Sequence, residues 1–189
     1  MFNLFVIMSD TSPDKAVAEA ASSKRQDYLH WDDYFMATSL LSAKRSKDPV
    51  TQVGACIVDQ QKRIVAIGYN GFPRNCSDDE FPWSKCTDSL EDKKLYVVHA
   101  EANAILNSNG ASLVDTTLYT TLFPCNECTK LIIQSGIKQV FYMSDKYAHK
   151  KKYRASRRML NAVGVVCTRH VPAKKQIVID FDAFLQDDE

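Results

Sequence analysis

Two short runs hold the side chains best suited to chemistry. His99-Ala100-Glu101 stands 25 residues ahead of Pro124-Cys125-Asn126-Glu127-Cys128. Cysteines three apart at a helix start project to the same side, so Cys125 and Cys128 can chelate one ion. The positive end of that helix favours their ionised form, and Pro124 suits a first turn, where a missing N–H costs little. One histidine and two thiolates leave the fourth tetrahedral position open, as a catalytic zinc requires and a closed structural zinc does not. Glu101 is too near His99 in sequence to share a regular helix face with it. At the open end of a helix both side chains can still turn toward one cavity, where a carboxylate shuttles protons. Taken alone, the Cys-x-x-Cys pair fits a structural half-site or a redox pair as well. No other Cys/His pair supplies a fourth ligand, although Cys76 and Cys86 are close enough in sequence to begin a second metal site.

These residues need a framework that brings two helix starts together. A helix is expected over 31–45 from the spacing of Trp31, Tyr34, Phe35 and Leu41, with Asp32 and Asp33 at its positive end. Residues 53–59 and 63–69 read as strands joined by Gln60-Gln61-Lys62 in an antiparallel hairpin. From 70 to 94 the pattern is lost among prolines, Asp and Ser, and excursions of that length are often functional. A helix over 99–107, a strand over 117–121, a helix over 125–135, a strand over 138–143, a helix over 153–162 and a short strand over 165–168 follow. Residues 177–184 read as an edge strand or a strap. Such alternation predicts an α/β fold, a parallel or mixed sheet with helices on both faces.

At 189 residues the chain is long enough for one sizeable core and too short to need two. We expect a loosely ordered tail over 1–26, polar and Ala/Ser-rich after its apolar start, and a single domain over 27–189. Residues 1–8 are apolar but far shorter than a membrane span, and they lack a basic leader and a small-residue cleavage site, so neither a membrane anchor nor a signal peptide is expected. Met8 is an alternative start. The net charge of +1 lacks the basic excess of a polynucleotide binder, which favours a small ligand over nucleic acid. Six cysteines are too few for a secreted disulfide scaffold of this size, and Cys56 lies in an apolar run as a buried thiol would. A reducing, cytoplasmic compartment follows from that usage.

In order and spacing the two reactive runs match the zinc-deaminase signature H-x-E…P-C-x-x-C. Around them, RSKDP (45–49), VGACIV (53–58), GYNGFP (68–73), CSDD (76–79), HAEANAI (99–105), LFPCNEC (122–128), IKQVFYMSDKY (137–147) and IVIDFD (177–182) closely resemble the deoxycytidylate (dCMP) deaminase family. The zinc motif marks only the wider superfamily; GYNGFP and SDKY point to the nucleotide-specific family. The resemblance implies a three-layer α/β/α sandwich, cytidine-deaminase-like, around a mixed five-stranded sheet. It implies conversion of dCMP and water to dUMP and ammonia, feeding thymidylate synthesis. It also implies a homohexamer activated by dCTP and inhibited by dTTP, with Mg2+ accompanying the triphosphate.

Residue by residue, the resemblance makes His99, Cys125 and Cys128 the Zn2+ ligands and Glu101 the catalytic proton carrier. It makes the Ala100 N–H a donor to the carbonyl of the base, and Asn70 a partner of the sugar hydroxyl. A 5′-phosphate needs cations or hydroxyls at the pocket rim, and Arg45, Lys47 and Tyr147 are the candidates. Asp78 and Asp79, within the excursion, are candidates for holding magnesium. Residues 107–115 and the lysine-rich 149–152 depart from the family pattern.

Three rivals are set aside by particular residues. A tRNA adenosine deaminase needs a basic RNA-binding surface, whereas residues 180–189 are acidic. A single-strand cytidine deaminase needs aromatic and arginine platforms, which sits poorly with the near-neutral charge. A zinc module without catalysis has no use for Glu101.

Overall fold

The structure, a computed structural model, describes residues 24–182. The apolar start, nearly all of the expected tail and the last two residues of 177–184 lie outside the described residues. Five strands form one sheet: β1 (Gly54–Val58), β2 (Ile64–Tyr69), β3 (Thr117–Leu122), β4 (Gln139–Ser144) and β5 (Val166–Arg169), in the order β2-β1-β3-β4-β5. β1 runs antiparallel to both β2 and β3, while β3, β4 and β5 are parallel, so the sheet is mixed as expected. All five residues of β1 are buried, because the sheet is covered on both faces.

The two faces separate cleanly. Helices α2 (Ala100–Leu106), α3 (Asn126–Gln134) and α4 (Lys151–Ala162) cover one face, where Ala55, Ile57, Leu118 and Val140 pack against Ala104, Ile132 and Leu160. Helix α1 (Trp31–Ala43) covers the other, where Phe35 and Met36 meet Cys56, Val58 and Tyr119. The α/β/α sandwich is therefore present, with one helix against three among the described residues.

Helix α1 presents a different face to the sheet from the one its apolar spacing suggests. Phe35, Met36, Ser39 and Ala43 are buried, whereas Trp31 and Leu41 are more than half exposed. The reason is close approach: a Cβ on Gly54 would stand 1.8 Å from the Ser39 carbonyl oxygen, so small residues must face the strand there. Gly68 in β2 plays the same part under α2, where a Cβ would lie 2.4 Å from both the Ala100 oxygen and the Ala104 nitrogen. Neither contact can be relieved by a rotamer change, since both partners are backbone. Gly68→Ala should accordingly destabilise the protein by about 3 kcal/mol or more, as overpacking against an immobile neighbour does. A urea titration checks this, and a loss below about 0.5 kcal/mol would contradict it.

Beyond β5 the chain forms a strap and not a strand. The Ala173 N–H donates to Asp33 Oδ2 at 3.2 Å, and His170 Nε2 lies 2.8 Å from Asp33 Oδ1. Those contacts pull the chain off the sheet edge and across α1, where Ile177 and Ile179 share a groove with Leu40 and Leu41. Asp33, in the first turn of α1 as expected, is buried as the anchor of this strap. Among the described residues, no helix is long and apolar enough to cross a membrane.

Candidate active site

The two reactive runs meet because the sheet sets two helix starts side by side. His99 is the N-cap of α2 and Cys125 the N-cap of α3; both hold extended backbone, with ψ of 157° and 172°. Cys128 follows in the first turn of α3, so both sulfurs face the histidine. His99 Nδ1 lies 3.3 Å from Cys125 Sγ and 3.4 Å from Cys128 Sγ. All three ligand atoms lie within 4.8 Å of one another, and among the described residues no other such group of His, Cys, Asp and Glu occurs. Cys76 and Cys86 thus gain no third ligand there.

The cluster fits a zinc ion. Tetrahedral coordination with Zn–N of about 2.0 Å and Zn–S of about 2.3 Å separates nitrogen from sulfur by roughly 3.5 Å, close to both distances observed. The sulfurs are buried, whereas His99 opens toward the cavity, so a fourth position would face the cavity and not the core. The hydrogen bond from Cys128, aided by His99 against the cost of burial, draws Cys125 down to about 3. Cys128, as the donor in that pair and a buried thiol, moves up. The hydrogen bond with Cys125 raises His99, with burial acting against it.

Glu101, in the first turn of α2, is 3% exposed, and its Oε1 lies 3.5 Å from Thr120 Oγ1. Burial, more than any neighbour, lifts its pKa above the usual carboxylate range. Glu101, Ala100, His99 and Cys125 line one cavity, together with Asn70 and Tyr147. Ala100 is fully buried at the first turn, where its N–H has no intrahelical acceptor.

The rest of the expected site divides. Asn70 is buried in the wall: its Oδ1 accepts from the Val53 N–H at 2.8 Å, and its Nδ2 donates to the Thr51 carbonyl at 3.0 Å. Tyr147 stands beside Tyr153, with ring centroids 5.6 Å apart, and Lys150 lies 4.3 Å above its ring. Burial alone would raise the Tyr147 hydroxyl, but Lys146 and Lys150 bring it down. Arg45 and Lys47 are exposed and do not line this cavity, and Lys47 pairs with Asp78. Asp79 is exposed and also stands away from it.

Four lysines on the wall escaped the sequence reading: Lys85, Lys93, Lys94 and Lys152. Lys93 pairs with Asp48 and Lys94 with Asp92, whereas Lys85 and Lys152 have no carboxylate within 4.0 Å among the described residues. The one signal for Lys152 was its place in the run that departs from the family pattern. Lys85 lies in the irregular excursion, whose path no periodicity reveals.

Comparison with known proteins agrees with this geometry. Residues 29–144 match the cytidine and deoxycytidylate deaminase zinc-binding region. A probable deoxycytidylate deaminase of Drosophila melanogaster is 70% identical over 96% of this chain and 94% of its own. The human deoxycytidylate deaminase is 51% identical over 88% of this chain and 94% of its own. The apo dCMP deaminase of cyanophage S-TIM5 superposes with a TM-score of 0.57 at 27% identity, covering 74% of this chain and 96% of the phage enzyme. With the family's zinc-binding region spanning both helix starts, the chain belongs to the cytidine and deoxycytidylate deaminases, a family of zinc enzymes.

Proposed function

We propose that the protein deaminates dCMP to dUMP and ammonia, with zinc held by His99, Cys125 and Cys128 and protons carried by Glu101. One observation carries this reading: a buried carboxylate stands beside a three-ligand cluster, in a cavity also lined by two lysines free of carboxylate partners among the described residues. The names of the fly and human relatives support the same substrate. Zinc bound there supplies a Lewis acid that lowers the pKa of water at the open position.

Glu101 takes a proton from the attacking water and places it on ring N3. It then carries the second proton to the departing amine, so the C4–N bond breaks after the C4–O bond has formed and water plus dCMP balances dUMP plus ammonia. The Ala100 N–H donates to the carbonyl of the base. Asn70 Oδ1 retains a second lone pair beyond its bond to Val53, and with it accepts the sugar hydroxyl. Tyr147, Lys152 and Lys85 receive the 5′-phosphate. Arg45 and Lys47, outside the cavity wall, serve as outer cations beside the 48–51 turn, with Lys47 paired to Asp78.

The regulatory part of the reading rests on the family resemblance. It comprises a homohexamer, activation by dCTP, inhibition by dTTP, Mg2+ near Asp78 and Asp79, and a place ahead of thymidylate synthesis. Six free cysteines support a reducing, cytoplasmic setting.

Ammonia release from dCMP, deoxycytidine, cytidine and an adenosine-containing tRNA stem-loop, with and without dCTP or dTTP, tests the whole. We expect kcat/KM for dCMP to exceed that for deoxycytidine by about 100-fold, and Lys152→Ala to raise KM for dCMP about tenfold while leaving deoxycytidine unaffected. Equal rates on dCMP and deoxycytidine would remove the phosphate argument. A flat response to both triphosphates would remove the allosteric one.

A further inference from the structure

Of the lysines that the excursion between β2 and α2 places on the cavity wall, Lys93 is the buried one. Lys93, in a single 3-10 turn (Lys93–Leu95), pairs with Asp48, and both side chains are only 5% exposed. Lys93 is also a backbone node of the excursion: its N–H donates to the Ser84 carbonyl at 3.0 Å, and its own carbonyl accepts from Val97 at 2.9 Å. Val97 lines the cavity two residues ahead of His99.

Asp48 organises the opposite side. Its Oδ1 also accepts the Val50 N–H at 2.8 Å and the Thr51 N–H at 3.0 Å, and its Oδ2 lies 3.4 Å from Asn70 Nδ2. Asn70 in turn holds Val53 and Thr51, both of which line the cavity. A single carboxylate thus gathers the 50–51 turn and Asn70, and the lysine is its only cationic partner among the described residues. Apolar residues often replace a buried ion pair as a whole with no loss of stability, whereas removing one partner strands a buried charge.

We propose that Lys93 is a positioning residue, acting through Asp48 and Asn70 to hold the sugar-side wall of the pocket in register with the excursion. The inference rests on reading the cavity as a nucleotide pocket. It predicts that loss of the lysine charge leaves Asp48 uncompensated, lets the 48–53 turn shift and moves Asn70, while the zinc cluster is untouched.

The test uses full-length, zinc-loaded protein: wild type, Lys93→Met, Lys93→Arg and the double variant Asp48→Asn/Lys93→Met. We expect Lys93→Met to raise KM for dCMP about tenfold, with kcat within about threefold and zinc content unchanged. The double variant, which removes the stranded charge but keeps the acceptor for Val50 and Thr51, should bring KM back to within about threefold of wild type. If Lys93→Met does not accumulate, Lys93→Arg serves, its wider planar head raising KM while kcat holds. An unchanged KM in the single variants, or a raised KM that persists in the double variant, overturns the proposal. Amide exchange at Val53, whose N–H is held by Asn70, should quicken about tenfold in Lys93→Met and supplies a readout independent of substrate. Should wild type fail on dCMP, the function reading falls, and the exchange rate alone decides the positioning role.

Discussion

Replacing Glu101 by glutamine should leave zinc bound and lower kcat on dCMP by about 10³- to 10⁴-fold, the upper range for loss of a positioned acid–base group. Glutamine preserves the volume of a side chain that is 3% exposed and can still meet Thr120 Oγ1. What it loses is the capacity to take up a proton and return it, and the proposed reaction uses that capacity twice. KM should move little, because a residue acting in proton transfer contributes to the barrier more than to substrate binding. Zinc content by mass spectrometry and single-turnover kinetics on the same sample check both halves. A variant turning over within about tenfold of wild type would assign the protons to another group.

The second large effect is expected at Cys125. Cys125→Ala removes one of three ligands and also the hydrogen-bond partner of His99. Zinc should fall from about one per chain to a small fraction of that, and kcat/KM should drop with it by about 10³-fold or more. Two helices start at this cluster, so their termini lose a cross-link; the melting midpoint should fall by about 5 °C or more. Cys86→Ser is the matching control, since Cys86 stands outside the cluster and has Ser84 Oγ 3.7 Å from its sulfur. It should keep its zinc and its rate. Retention of stoichiometric zinc in Cys125→Ala would place the metal elsewhere.

The chemistry was more legible in the sequence than its surroundings because the ligands lie at helix starts. His99, Glu101, Cys125 and Cys128 come from two short runs, and the cap geometry that aims them is local. The hairpin of β1 and β2 and the succession from β3 to β5 also follow from local pattern and short connections. The face of α1 was not legible, because Ser39 and Ala43 are chosen by contact with Gly54 in another element, and hydrophobic spacing does not record such contacts. For residues 177–182 the sequence allowed a strand or a strap, and Asp33 on α1, by claiming the preceding chain, decides for the strap.

The wall of the pocket was the least legible part. Lys85 and Lys93 lie in an irregular segment, Lys152 on α4, and only the folded sheet brings them near His99. Arg45 and Lys47 stand close in sequence to wall residues such as Asp48 and Thr51, yet the turn directs them outward, Lys47 toward Asp78. The phosphate that the family resemblance implies called for a cation at the rim, and the fold decided which lysines stand at the cavity.

A zinc ion on His99, Cys125 and Cys128 is what would make this pocket a dCMP deaminase. Protein stripped of metal by a chelator, then given one equivalent of zinc, tests it on a single sample with dCMP as substrate. Loss of the cytosine absorbance and release of ammonia are followed together. No turnover is expected before zinc and turnover after it, with one ammonia formed per dUMP. Equal turnover in the stripped protein, or a zinc-loaded protein inert toward dCMP, would contradict it.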